Sequence, residues 1–272
     1  MKVYVCALAK NEHLYINEWV GHYVKLGFDK IFIYDNDDKA SPKIIDFIDE
    51  EYHSKVKIIN ARGMHLDQMQ SKFYRSFYEV ENRNFDWCLF CDIDEFLTGI
   101  TDIKKFLSKP YFKQYEQIRV KWKLFGDDDL IERDLSVPVM QAFTREITSP
   151  LTKDLSKPCG LNNQGKSIVR GKLKYAGFYS VHFMSRYNNV VKSCLPSGLP
   201  CYSGVEIKEN YSHETVFLNH YMTKSLSEFV KQKLSRTDAV FYNRILDMSY
   251  YWRLNAKTQE KLDYLKNMGL NN

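Results

Sequence analysis

The chain has 272 residues, 44% of them hydrophobic and 15% aromatic, enough to bury one large core. Its charges are well mixed and its net charge is +5, which excludes a disordered polyelectrolyte and supplies no Lys/Arg block for nucleic acid. No apolar run approaches the ~20 residues of a membrane-spanning helix, and Met1 to Ala9 runs straight into Lys10-Asn11-Glu12 with no secretory cleavage pattern, so a cytoplasmic location is expected.

Lys2 to Ala9 reads as a first strand, and Asn11 as the cap of a helix that carries Leu14, Ile16, Trp19, Val20 and Tyr23 and stops at Gly27. Ile31 to Tyr34 is the second strand. Ser41-Pro42 opens a helix with Ile44, Ile45 and Ile48 inward. Val56 to Ile59 is the third strand, followed by a helix from His65 to Arg83. Trp87 to Cys91 is unbroken in its apolarity, as in a strand buried on both faces. Thr101 to Ser108 is a short helix and Gln117 to Phe125 a further strand. From Gly126 to about Gly204 the pattern breaks into an irregular stretch of the kind that forms substrate loops, and from Thr223 the chain reads helical.

This alternation predicts an α/β fold with a mostly parallel sheet flanked by helices and a helical C-terminal segment. We divide it into a catalytic domain over 1–222, with halves 1–125 and 126–222, and the segment 223–272. Ligands of such sheets bind beyond the carboxyl ends of the strands, which directs attention to Lys10-Asn11-Glu12, Asp35-Asn36 and Asp92-Ile93-Asp94-Glu95. The six cysteines are Cys6, Cys88, Cys91, Cys159, Cys194 and Cys201. They are expected to be reduced and structural, because Cys88 and Cys91 lack the second pair that a zinc site needs.

Strand periodicity would point Asp92 and Asp94 to one face. Two adjacent carboxylates leaving a buried strand repel and resist desolvation, and a hard cation such as Mn²⁺ or Mg²⁺ relieves that cost. Solvated acids capping the next helix are the bland alternative. A phosphatase with an aspartyl nucleophile wants Thr or Val where Phe96 stands. Neither a GxGxxG nor a Walker loop is present.

The ordered pieces are Ala9-Lys10-Asn11-Glu12, Glu18-Trp19 with His22-Tyr23 and Leu26-Gly27, Tyr34-Asp35-Asn36, and Gln70 ahead of Tyr74. They continue through Asp86-Trp87 into Asp92-Ile93-Asp94-Glu95-Phe96, Trp122 with Phe125-Gly126, Lys166 to Arg170, His182, and Asn219-His220-Tyr221 with Lys224-Ser225. As a set they resemble bacterial glycosyltransferases of the family 2-like and family 92-like groups, which have the GT-A fold.

The resemblance implies a metal-dependent, inverting transfer of a hexose, with galactose the first to try, from a nucleotide-diphosphate sugar, UDP-linked, to a glycan or lipid-linked saccharide in lipopolysaccharide or capsule synthesis. It assigns Ala9, Lys10, Asn11, Glu12, Asp35, Asn36, Gln70, Asp92, Ile93, Lys166 and Arg170 to the nucleotide sugar. It gives Asp92, Asp94 and His220 to the metal, with His182 and Lys224 as second choices for metal or substrate. Asp127, after the strand that ends at Phe125, is a candidate base, although the family commonly has small polar residues after this Phe-Gly and a solvated turn is the alternative. A phosphohydrolase and a non-catalytic sugar-nucleotide or glycan binder are the rivals. For Tyr250 to Arg253, packing of the last helices is preferred over peripheral contact with the inner membrane face.

Overall fold

The computed structural model describes residues 1–147, 164–174, 176–178, 180–186, 191–202, 207, 213–234, 236 and 245–270. Strand β1 (Val3–Ala9) is buried at every position, so both of its faces must be covered. Val3, Val5, Ala7 and Ala9 enter one apolar cluster, whereas Tyr4, Cys6 and Leu8 enter another. Full burial of a valine such as Val3 or Val5 contributes about 1.5–3 kcal/mol.

Helix α1 (Ile16–Lys25) leads to β2 (Lys30–Asp35), which pairs parallel with β1 on one side. Strand β3 (Val56–Asn60) adds outside β2, again parallel. The chain then returns through α2 (Met69–Glu81) to β4 (Trp87–Phe90), on the other side of β1. Crossovers of one hand running in opposite directions place their helices on opposite faces. Accordingly, Trp19 and Val20 of α1 join the first cluster, and Tyr74 and Phe77 of α2 join the second. The strand order changes direction at β1 and β4, and the carboxyl ends of these two strands meet there.

The remaining elements are β5 (Glu95–Thr98), α3 (Ile103–Leu107), β6 (Gln117–Leu124), α4 (Val139–Ala142), β7 (Gly165–Arg170), β8 (Ala176–Phe178), β9 (Met184–Arg186), β10 (Ser193–Cys194), β11 (Pro200–Cys201), β12 (Phe217–His220), α5 (Leu226–Gln232), α6 (Met248–Trp252) and α7 (Gln259–Asn267). Among the described residues the main sheet has ten strands, in the order β11-β10-β6-β7-β4-β1-β2-β3, with β12 joining β5 to β6. The β3-β2-β1-β4 half is parallel, and β7 runs antiparallel between β4 and β6.

Several local expectations are corrected. Asn11 does not cap α1; it sits at φ 58° in the preceding turn, and the helix begins at Ile16 behind Tyr15. Ser41-Pro42 opens only a short 3₁₀ turn at Ile44–Phe47. The helix expected over 65–83 narrows to α2. The stretch after Gly126 contains β7, a central strand. Cys6, Cys88, Cys91 and Cys194 are buried free thiols and Cys201 is half-buried; Cys159 lies outside the described residues.

Candidate functional site

Strand β4 ends at Phe90, and Cys91 to Asp94 form a turn closed by Glu95 N donating to the Asp92 carbonyl at 3.1 Å. Aromatic side chains from both helical layers hold this turn. Trp19 Nε1 donates to the carbonyls of Asp92 (3.1 Å) and Glu95 (3.0 Å), and Tyr23 OH donates to Glu95 O at 3.0 Å. From the other face, Tyr74 OH donates to Cys91 O at 3.0 Å. Ile93 is buried in the core and anchors the turn from below. Asp92 and Asp94 therefore converge because a clamped turn aims them, not because of strand periodicity.

The third member arrives on β12, whose register sets His220 opposite Glu95 of β5 and Leu124 of β6. Ligand atoms of Asp92, Asp94 and His220 all lie within 4.8 Å of one another. His220 Nε2 is 3.3 Å from Asp94 Oδ1, and its ring packs on Trp122 with centroids 4.5 Å apart. Its Nδ1 is buried without a hydrogen-bond partner, as is Glu95 Oε1, 4.0 Å away. Two carboxylates and an imidazole, with polar atoms left over behind them, are a donor set that fits a divalent cation.

Lysines complete the electrostatics. Asp92 Oδ2 is 3.0 Å from Lys166 Nζ, while its Oδ1 accepts from Gln70 Nε2. Asp94 Oδ2 accepts from Lys233 Nζ at 2.5 Å, and the same ammonium donates to Met222 O at 2.6 Å. Burial alone would push both aspartates up, but Lys166 beside Asp92 and Lys233 beside Asp94 more than offset it, so both carboxyls sit below the usual range, Asp94 well below. Glu95, fully buried, is pushed well up by burial.

Next to this group, at the carboxyl end of β1, Glu12 is flanked by Arg236 Nη1 at 3.5 Å and Lys224 Nζ at 3.9 Å. Arg236 also donates to Lys10 O at 2.8 Å. Lys224 lies over the Tyr15 ring at 3.8 Å with its Nζ buried and without a hydrogen-bond partner. Burial holds its amine below the usual lysine value. Ala9 and Asn11 line this end, and Asn11 N donates to Asp37 Oδ1 at 2.6 Å. Across β2, Asp35 is paired with Arg62 at 3.0 Å, Asp37 with His13 at 2.9 Å, and Asn36 Nδ2 donates to the carbonyls of Ala61 and Met64.

Three expected residues are not brought to this centre as expected. Arg170 lies at the far end of β7, opposite Trp87, where it donates to the carbonyls of Phe112 and Tyr115 and stacks on the Trp87 ring. His182 approaches only from the side, with Nδ1 against Gly165 O at 3.0 Å. Burial first, then Lys166, holds its imidazole down at about 3. Asp127 is 3% exposed and is consumed by Lys261 Nζ and Tyr251 OH, while its backbone N donates to Asn255 Oδ1 at 2.8 Å. A carboxylate saturated by two donors from α6 and α7 is a fastening, not a proton acceptor waiting for substrate.

The sequence reading missed Lys233 and Arg236, which look like ordinary cations of a solvated helix, and also the pairing of Arg133 with Glu228 at 2.9 Å. Glu228 offered a signal: Ser225 followed by Glu228 is a capping box, and Tyr15 OH donates to the same carboxylate at 2.7 Å.

No protein-family model matches the sequence, and no curated protein does. Solved structures similar to it include S. aureus TarS, at 17% identity and a TM-score of 0.35, over 62% of this chain and 28% of that one. They also include the WbbM bifunctional glycosyltransferase, at 13% identity and a TM-score of 0.30, over 44% of this chain and 23% of that one. The chain thus spans under a third of the length of either.

Proposed function

We propose that this chain is a metal-dependent glycosyltransferase of the GT-A type that takes a nucleotide-diphosphate sugar, UDP-linked, and transfers its hexose to a glycan or lipid-linked saccharide of the cell surface. The observation that carries this reading is the convergence of Asp92, Asp94 and His220 within 4.8 Å. It is supported by the position of that group, beyond the carboxyl ends of β1 and β4 where the strand order reverses. The ordered residue pattern that runs from Ala9 to Ser225 points the same way.

In this reading Asp92, Asp94 and His220 would hold Mn²⁺ or Mg²⁺, and the ion would offset charge on the departing diphosphate. Glu95 would orient His220 through Nδ1, and Trp19, Tyr23 and Tyr74 would keep the acidic turn rigid. Lys10, Glu12 and Lys224 would border the phosphates, and Asp35 to Asp37 the nucleoside end. Residues 126–222 would carry the acceptor side. Arg170 and Asp127 take no part in the chemistry of this proposal.

Calorimetric titration of UDP, UDP-galactose, UDP-glucose and GDP-mannose, each with Mn²⁺ and with EDTA, tests it. Metal-dependent binding of one donor, lost in Asp94→Ala, is the expected result. If no nucleotide binds in any condition the reading fails, and release of phosphate from simple esters would then favour a phosphohydrolase.

A further inference from the structure

Every carboxylate oxygen of the two site aspartates already has a partner. Asp92 is held by Gln70 and Lys166, and Asp94 by His220 and Lys233. Lys233 is 6% exposed and stands at the C-cap of α5, in the C-terminal part of the chain. Close by, Arg236 and Lys224 supply two further cations to the single acid Glu12. Cations from the 224–236 stretch thus meet a centre in which Asp92 and Asp94 each already face a lysine.

The Asp94 oxygen that faces His220 is Oδ1, and the Lys233 ammonium sits on Oδ2 of the same carboxylate, so a divalent cation on Oδ1 would stand beside that ammonium and drive it off by like-charge repulsion in a poorly solvated site. The ammonium must then leave the carboxylate while remaining buried, and a buried charge without a counter-ion is costly. A dianionic diphosphate carries the charge that restores the balance. From this we propose, resting on the function above, that Lys233 is an exchangeable counter-ion. It neutralises Asp94 until a divalent cation and a nucleotide diphosphate arrive together, and then passes to the diphosphate as a donor-binding residue.

Two consequences separate this role from simple structural support. In the wild-type protein, Mn²⁺ and UDP should each tighten the binding of the other by about tenfold or more, the usual range of coupling between linked ligands. In Lys233→Met the two affinities should move in opposite directions. Mn²⁺ alone should bind several-fold more tightly, because its competitor is gone. UDP at saturating Mn²⁺ should bind about ten- to a hundredfold more weakly, because a charge-assisted hydrogen bond is lost.

The experiment is a set of calorimetric titrations of Mn²⁺ alone, UDP alone, and UDP at saturating Mn²⁺ on wild type, Lys233→Met and Lys233→Arg, with melting temperature as a check of folding. Lys233→Arg retains the charge and should keep Mn²⁺-only binding near the wild-type value. Weakening of both ligands in Lys233→Met, or no change in either, overturns the proposal, as does wild-type Mn²⁺ binding that UDP leaves unaltered. The wild-type coupling needs no variant, so a poorly folded Lys233→Met still leaves a decisive measurement. Wild-type protein that binds neither Mn²⁺ nor UDP would instead strike the proposed function itself.

Discussion

Burial holds the imidazole of His22 down at about 4, and its ring Nε2 lies 2.9 Å from the Leu97 carbonyl. The ordinary value is 6.5, so between about pH 6.5 and 4 the unfolded chain takes up a proton that the folded chain refuses. Stability contributed by the neutral ring is therefore present above that window and is lost as pH falls through it. Thermal denaturation followed from pH 7 to pH 4 should show a melting temperature that declines in the wild type and declines less steeply in His22→Gln, which keeps a donor for Leu97. At this scale Asp92 and Asp94 were legible, because carboxylates following a buried apolar run carry an energetic anomaly that asks for a cation, whereas His220 was a candidate only through the family resemblance. Lys233 was not, since nothing in Leu226-Ser-Glu-Phe-Val-Lys-Gln-Lys233 distinguishes a buried cation from a solvated one; its burial is decided by Asp94, far away in sequence.

Among the elements, β7 controls how Lys166 reaches the centre. It is wedged between β4 and β6, and a Cβ on Gly165 would lie 2.0 Å from the carbonyl oxygen of Val120. Backbone cannot yield to that approach as a flexible side chain can. Gly165→Ala should therefore lower the denaturant midpoint by the equivalent of about 1–3 kcal/mol or more, and pull Lys166 away from Asp92. An unchanged midpoint would show that the β6–β7 ladder is looser than its geometry requires. The parallel strands β1, β2 and β4 were readable because strands covered on both faces become continuous apolar runs. Gly165-Lys-Ser-Ile-Val-Arg170 does not read as a central strand, because it carries Lys, Ser and Arg at positions that are buried or half-buried, which inverts the usual correlation. Strand β5 has only four residues, too few for alternation to register.

For the molecule as a whole, the C-terminal helices are joined to the sheet by charge as well as by apolar contact. Leu226, Phe229, Tyr251 and Leu265 form a small cluster of their own, while Lys261 and Tyr251 reach Asp127 and Glu228 receives Tyr15 and Arg133. Removing one partner of a buried ion pair leaves an uncompensated charge, which costs about 3–5 kcal/mol. Asp127→Asn should accordingly lower the melting temperature sharply while leaving UDP affinity at saturating Mn²⁺ close to wild type. A variant of unaltered stability that has lost turnover would restore Asp127 as the base. Among the described residues no helix is long and apolar enough to cross a membrane.

The pairing of Lys233 with Asp94 spans 139 positions of sequence, and this has a consequence for synthesis. At ~5–20 residues per second, the lysine leaves the ribosome ~7–28 s after the aspartate. Over that interval the nascent parallel strands end in an acidic turn whose later partners have not yet been translated. The carboxyl end of the central strands is therefore completed by residues made well after those strands, and until His220 is translated the emerging polypeptide carries two of the three members of the candidate cation group.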